Sequence, residues 1–108
     1  MERVNQALCE VIADELALIG DERLPLMTVT GVKADPDLRR AVVWFVSLAA
    51  TPDADHSAEL EVLAEHRSRL QGAVARQMRL RRTPELSFVP DPARAAATRV
   101  EQILRDLG

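Results

Sequence analysis

The chain has 108 residues, the length of one ordinary domain, and 47% of them are hydrophobic, which excludes a wholly disordered protein. Aromatic residues make up only 3%, so we expect an aliphatic core, and no row of aromatic rings is available to stack nucleic-acid bases. The single cysteine excludes an internal disulfide, and the formal net charge of −3 argues weakly against a nucleic-acid partner.

The first half of the chain predicts one helix and two strands. The expected elements are, in order, a helix over residues 2–19, a strand over residues 24–34, a turn over residues 35–37 and a strand over residues 41–48. Gly20 ends the helical pattern, and Gly31 marks a candidate bulge in a segment rich in Thr and Val. The second strand is apolar on both faces, which indicates a central position in the sheet.

The second half predicts a long helix, a short strand and a last helix. The expected elements are a polar loop over residues 51–57, a helix over residues 58–80, a strand over residues 85–89 and a helix over residues 92–108. Ser57 is the expected N-cap of the long helix, and Thr83-Pro84 ends it because the residue before proline is displaced from helical angles. The absence of repeats and linkers predicts a single domain over residues 1–108.

The sequence gives no sign of export or of a membrane span. No apolar run reaches the length that crosses a bilayer, and the N-terminus lacks the basic and apolar regions of a secretory signal. We therefore expect a cytoplasmic protein with no membrane partner.

Positive charge is concentrated in the second half of the chain. Residues 1–65 hold 13 acidic and 5 basic residues, whereas residues 66–108 hold 4 acidic and 9 basic ones. Between Glu65 and Glu85 there are six arginines and no acidic residue. Because phosphate binding depends on the local field, this segment favours a nucleic-acid partner despite the net negative charge.

The long helix places arginines together on one face. On a helical wheel Arg69, Arg76 and Arg79 lie roughly opposite the apolar stripe, and Gly72 among them leaves room for close backbone approach. Guanidinium groups match phosphate oxygens, whereas an ordinary solvated helix face, the alternative interpretation, usually mixes both signs of charge. The predicted RNA-binding residues are Arg69, Arg76, Arg79, Arg81, Arg82, Arg39, Arg40 and Lys33; for the last three, ordinary loop charges are the favoured alternative.

No pattern in the sequence predicts catalysis, a metal site or a cofactor. The two histidines lack ligand spacing, and Cys9 has no basic neighbour in sequence to activate it. The acidic pairs Asp14-Glu15 and Asp21-Glu22 come with no nucleophile, and phosphate-binding glycine motifs are absent. We therefore expect a protein that is not an enzyme.

Several segments, taken together, resemble the ribosome-binding factor A family. They are Arg3-Val4-Asn5-Gln6, Asp21-Glu22-Arg23-Leu24, Thr28-Val29-Thr30-Gly31-Val32 followed by Asp35-Pro36-Asp37-Leu38-Arg39, and Met78-Arg79-Leu80-Arg81-Arg82-Thr83-Pro84-Glu85-Leu86-Ser87-Phe88. These segments occur in the family's order and span nearly the whole chain, so together they are more specific than any single segment.

The resemblance implies an α+β fold of the type II KH-like kind, with element order α-β-β-α-(kink)-α-β-α and a three-stranded mixed sheet packed on helices. It also implies a monomeric factor that binds the free 30S ribosomal subunit and 16S rRNA, not DNA. Such a factor supports late subunit maturation, including 16S rRNA 5′-end processing and growth in the cold, without catalysis.

One departure from the family concerns the kink in the long helix. The family has an A-x-G pattern there, and the matching positions are His66-Arg67-Ser68. Ser68 and Gly72 are therefore the candidate kink residues. Two other functions remain open for the same fold: a generic KH-like RNA-binding module, and a protein–protein adaptor that uses the flat sheet or the last helix. A small enzyme of similar fold is a further alternative, and it would require a pocket with perturbed acids.

Overall fold

The computed structural model describes residues 1–24, 27–47 and 56–92. The elements in this part of the chain are α1 (Glu2–Ile19), β1 (Met27–Ala34), β2 (Arg40–Ser47), α2 (Ser57–Gln77) and β3 (Glu85–Pro90). The predicted α+β class and element order are confirmed over these residues. Residues 25–26 and 48 of the predicted strands, residues 51–55 of the predicted loop and residues 93–108 of the predicted last helix lie outside the described residues.

Helix α1 owes its boundaries to an apolar stripe and a terminal glycine. Leu8 and Ile12 recur on one face and are fully buried. At the C-terminus Gly20 takes the left-handed conformation, with φ 57°, and its N–H donates to the carbonyl of Leu16 at 3.2 Å. A glycine in this conformation stops a helix without steric cost, so the predicted end at Gly20 is confirmed.

The sheet has the order β1-β2-β3, with β2 in the centre as predicted. β1 pairs with β2 in the antiparallel sense, and β2 pairs with β3 in the parallel sense. The β1–β2 register shifts between Val29 and Gly31, so one residue is extra at that point and the predicted bulge is confirmed. The sheet is therefore mixed and three-stranded, as expected.

The core lies between the two helices and one face of the sheet. Ala41, Val43 and Phe45 alternate along β2 and are buried, and Ala41 and Val43 belong to one apolar cluster with Ile12 of α1 and Leu70 of α2. Phe45 is the only aromatic residue among the fully buried side chains of the described chain. The core is thus mainly aliphatic, which agrees with the composition.

The start of α2 differs from the prediction by one residue. The N-cap is His56, not Ser57, and the His56 carbonyl accepts the N–H of Leu60 at 2.9 Å. The His56 ring is anchored on both sides, because its Nδ1 lies 3.3 Å from Glu59 Oε1 and its plane meets Phe45 edge-on, with ring centroids 6.0 Å apart. These contacts fix position 56 at the helix start, so Ser57 falls in the first turn.

The end of α2 also differs from the prediction. The helix stops at Gln77 rather than near Leu80, because Met78 is extended, with φ −122° and ψ 144°. This extended segment turns Met78 and Leu80 towards the core, where both pack. α2 is one continuous helix that contains Ser68 and Gly72, and a bend at either residue stays a prediction. The type II KH-like detail of the fold also stays a prediction.

Candidate nucleic-acid interface

The starts of β2 and β3 lie side by side and bring distant basic segments together. Their parallel register begins with Arg40 opposite Glu85, and the Glu85 N–H donates to the Arg39 carbonyl at 2.9 Å. The segment from Gln77 to Glu85 joins the end of α2 to this point. We call the resulting surface the basic end; its residues are Lys33, Arg39, Arg40, Arg76, Arg79, Arg81 and Arg82.

The turn between β1 and β2 sets the direction of two of these arginines. Leu38 takes a left-handed conformation, with φ 60°, which is unusual for a branched apolar residue, and its side chain is buried. Arg39 and Arg40 follow it and are exposed. Burial of Leu38 therefore offsets the strain of the turn and leaves both guanidinium groups at the surface. The Nε of Arg39 lies 3.4 Å from an Asp37 carboxylate oxygen, which partly neutralises its charge.

The end of α2 presents Arg76 in a folded-back position. A Cβ placed on Gly72 would lie 3.3 Å from the Nη1 of Arg76, so this guanidinium covers the glycine. The space that Gly72 provides is thus occupied by a side chain of the same helix. The partial negative charge at the helix C-terminus also favours a cation here.

Most residues of the basic end have no acidic partner. Within residues 1–24, 27–47 and 56–92, no ion pair involves Lys33, Arg40, Arg76, Arg79, Arg81 or Arg82. Their side chains are exposed. Unpaired guanidinium and ammonium groups at one surface can bind phosphates without first breaking a salt bridge.

Arg69 differs from the other predicted contacts because it binds within the protein. Its Nε donates to Glu15 Oε1 at 2.9 Å, and the Glu15 side chain is only 8% exposed while that of Arg69 is 54% exposed. The pair joins α2 to α1 and satisfies a carboxylate that is otherwise shielded from water. Sequence reasoning missed this role because the partner lies on another helix.

A second group of charges lies at the far end of α1 and was also missed. Arg23 bridges Asp21 and Glu65, at 2.7 Å and 2.6 Å, and the Nε2 of His66 lies 2.8 Å from Asp21 Oδ2. Hydrogen bonds from Arg23 and then His66 hold the pKa of Asp21 well below its usual value, and the Arg23 hydrogen bond lowers the pKa of Glu65. In the sequence only the spacing of Asp21 and Arg23 hints at this network.

The remaining features of the described chain do not form a catalytic constellation. A pocket of about 300 Å³ between α1 and β1 is mainly apolar, and Asp21, the ionisable residue in its lining, is already bound by Arg23 and His66. No group of three or more His, Cys, Asp or Glu residues in the described part could hold a metal ion. None of its helices is long and apolar enough to cross a bilayer.

Comparison with known sequences places the whole described fold in one family. The family model of ribosome-binding factor A matches residues 1–104. The ribosome-binding factor A of Rubrobacter xylanophilus is 42% identical over 106 residues, which cover 97% of this chain and 84% of that protein. The Anaeromyxobacter protein of the same description is 41% identical over 106 residues, covering 97% of this chain and 83% of that protein.

Solved structures give the same result. The crystal structure of ribosome-binding factor A from Thermus thermophilus has a TM-score of 0.73 at 29% identity, covering 82% of this chain and 93% of that chain. A homology model of the Thermus protein, fitted into a cryo-electron microscopy map of a 30S complex, has a TM-score of 0.65 at 31% identity and covers 82% of this chain and 91% of that one. The chain described above, with its mixed sheet and its basic end, therefore belongs to the ribosome-binding factor A family.

Proposed function

We propose that the protein is a non-catalytic assembly factor that binds the 30S ribosomal subunit and contacts 16S rRNA through the basic end. The observation that carries the proposal is the convergence, where β2 and β3 begin, of exposed arginines most of which form no ion pair within the described residues. Arginine forks suit the phosphate oxygens of a folded RNA, and their positions on three separate segments give the contact a defined shape.

The comparisons support the choice of partner. The Thermus relative fitted into the map of a 30S complex shares the fold and 31% of its residues with this chain. This likeness supports the small subunit as the partner, and we propose that the contact is with 16S rRNA of the free subunit rather than with DNA or a membrane. The protein acts in the cytoplasm during late maturation, including processing of the 16S rRNA 5′ end, and supports growth in the cold.

Acidic charge elsewhere on the molecule supports selective rather than general RNA binding. The net charge of −3 leaves the surface outside the basic end unfavourable to phosphates. Binding then requires an RNA whose shape meets the basic end while keeping its other phosphates away. A structured ribosomal site meets this requirement better than an arbitrary strand.

Occupied groups at both sheet edges support a monomer. On β3 the outward N–H of Leu86 donates to Gln71 Oε1 at 3.1 Å, and Pro90 has no N–H to offer. On β1 the N–H of Ala34 donates to Asn5 Oδ1 at 2.9 Å. Side chains that occupy edge groups in this way discourage strand pairing between copies.

Co-sedimentation with purified small subunits tests the proposal. Immature and mature subunits are compared across a salt series, with an unrelated structured RNA as competitor. We expect salt-sensitive binding to immature subunits that resists the competitor, and 16S rRNA with unprocessed 5′ ends in cells that lack the protein. Equal binding to every RNA would favour a generic KH-like module, whereas binding that survives RNase treatment and high salt would favour a protein adaptor.

A further inference from the structure

Trp44 lies on the face of the sheet opposite the helices. Along β2, Ala41, Val43 and Phe45 are buried against the helices, so the alternate residues point to the other side. We call this side the outer face; its residues on the three strands include Lys33, Arg40, Val42, Trp44, Val46, Ser87 and Val89. Trp44 lies in the middle of it, between Gly31 of β1 and Val89 of β3.

The ring of Trp44 rests on a glycine. A Cβ placed on Gly31 would lie 3.7 Å from Cε3 of the indole, so the ring extends over the neighbouring strand. The residue is neither fully buried nor freely exposed. No hydrogen bond from the indole N–H and no stacked ring or cation occurs within residues 1–24, 27–47 and 56–92. One edge of the ring is therefore supported by the neighbouring strand.

Positive charge accompanies Trp44 on the same face. Lys33 pairs with Val42, two residues from Trp44 on β2, and is thus a diagonal neighbour within reach of long side chains. Arg40 lies on the same side of β2 towards the basic end. Two acidic residues lie near this row: Glu85, opposite Arg40, which forms no ion pair in the described part of the chain, and Asp91, directly after β3, whose carboxylate accepts a hydrogen bond from the Thr30 hydroxyl of β1 at 2.6 Å. The outer face is therefore continuous with the basic end.

We propose that Trp44 is a stacking platform for one unpaired nucleotide of RNA, with Lys33 and Arg40 binding the phosphates beside it. The proposal rests on the RNA-binding function above and adds a site for a single-stranded segment. An aromatic side chain on an open sheet stacks any base, and cations along the same strands follow the phosphate backbone. These flanking cations favour a nucleic acid over an apolar protein segment as the occupant.

Fluorescence provides a direct test because Trp44 is the only tryptophan of the chain. The intact protein is titrated at low salt with a short single-stranded oligoadenylate, and with a blunt RNA duplex as the control. We expect the oligoadenylate to quench the emission and the duplex, whose bases are already stacked, to leave it unchanged. Unchanged emission with bound oligoadenylate, or emission that a small soluble quencher cannot reach in the free protein, would overturn the proposal. The second outcome would mean that another part of the chain covers the ring.

Matched variants separate stacking from charge. Trp44→Leu should weaken oligoadenylate binding about tenfold without changing its salt dependence, while Trp44→Phe should retain most of the affinity. Lys33→Gln with Arg40→Gln should lower both the affinity and the salt slope. Circular dichroism and urea unfolding check that each variant is folded.

A failure of the stacking proposal can be distinguished from a failure of the proposed function. If folded Trp44→Leu binds oligoadenylate as tightly as the wild type, the stacking site is wrong, and co-sedimentation of the wild type with small subunits still decides the proposed function. If the wild type does not co-sediment with subunits at any salt, the proposed function is wrong whatever the tryptophan does.

Discussion

Two arginines on α2 differ in what their guanidinium groups contact. Arg69 binds the buried carboxylate of Glu15, whereas Arg76 lies over Gly72 and has no ion pair within the described residues. The helical wheel puts them on one face, because it reports direction around one helix and not what the next helix brings to that face. Only Arg76 of the two is therefore free to bind phosphate without a cost to the fold.

Substitution of these two arginines should separate stability from binding. Arg69→Met leaves the Glu15 carboxylate shielded and unpaired, so we expect the free energy of unfolding to fall by about 1–3 kcal/mol, with partial exposure of the pair limiting the loss. Arg76→Met, the matched control, should change stability by no more than about 0.5 kcal/mol. Urea unfolding of both variants measures this. Equal stability of the two variants would show that the Glu15 pair contributes nothing.

Acid should weaken the contribution of the Asp21 network. The folded-state pKa of Asp21 lies below its ordinary value of 3.8, chiefly through Arg23, so its stabilisation is full above that value and is lost as the pH falls. The difference in stability between wild type and Asp21→Asn should therefore be largest near neutral pH and shrink below about pH 4. Thermal unfolding of both proteins from pH 7 to acid measures the difference. Arg23→Gln removes the main cause and should show the same trend; a gap that is constant with pH would contradict the account.

At the scale of elements, local signals in the sequence were sufficient for the strand and helix order. Gly20 ends α1 through its own backbone conformation, and Gly31 coincides with the bulge, so both could be read without tertiary knowledge. The two ends of α2 could not be predicted from the local sequence. His56 caps the helix because Phe45 and Glu59 hold its ring, and Met78 leaves the helix because the core lies beneath it.

Two glycines provide a matched test of this argument. Gly20→Ala forces a side chain into a left-handed conformation and should lower the free energy of unfolding by about 1 kcal/mol. Gly31 has no such conformation, and a Cβ there would make an ordinary contact of 3.7 Å with Trp44, so Gly31→Ala should cost clearly less. Urea unfolding compares the two. A larger loss for Gly31→Ala would mean that the bulge, not the helix end, depends on its glycine.

At the scale of the whole molecule, the sequence could not show which distant residues lie close together in the fold. The six arginines between Glu65 and Glu85 were visible, and so were Arg39 and Arg40, but only the parallel pairing of β2 with β3 joins four of the six with Arg39 and Arg40 at the basic end. The packing of α2 on α1 likewise pairs Arg69 with Glu15, which lies 54 residues away in the chain. Composition and motifs thus indicated the kind of partner, and the tertiary structure separated Arg69, which is ion-paired with Glu15, from the arginines that form no ion pair within the described residues.

The separation of charge between the basic end and the rest of the surface is the property on which the proposed function depends. Glu61 and Glu65 lie exposed on the first half of α2, while Arg76 lies near its end. If binding follows the local field, the position of a charge change matters more than its effect on the net charge.

The most direct test compares two double variants of equal net charge in co-sedimentation with immature small subunits. Arg76→Gln with Arg79→Gln removes two positive charges from the basic end, and Ala58→Glu with Ala64→Glu adds two negative charges at exposed positions of α2 far from it. We expect the first to weaken binding at least tenfold and to lower its salt dependence, and the second to bind nearly as the wild type does. Equal weakening by both variants, or none by the arginine variant while it remains folded, would contradict recognition through the basic end.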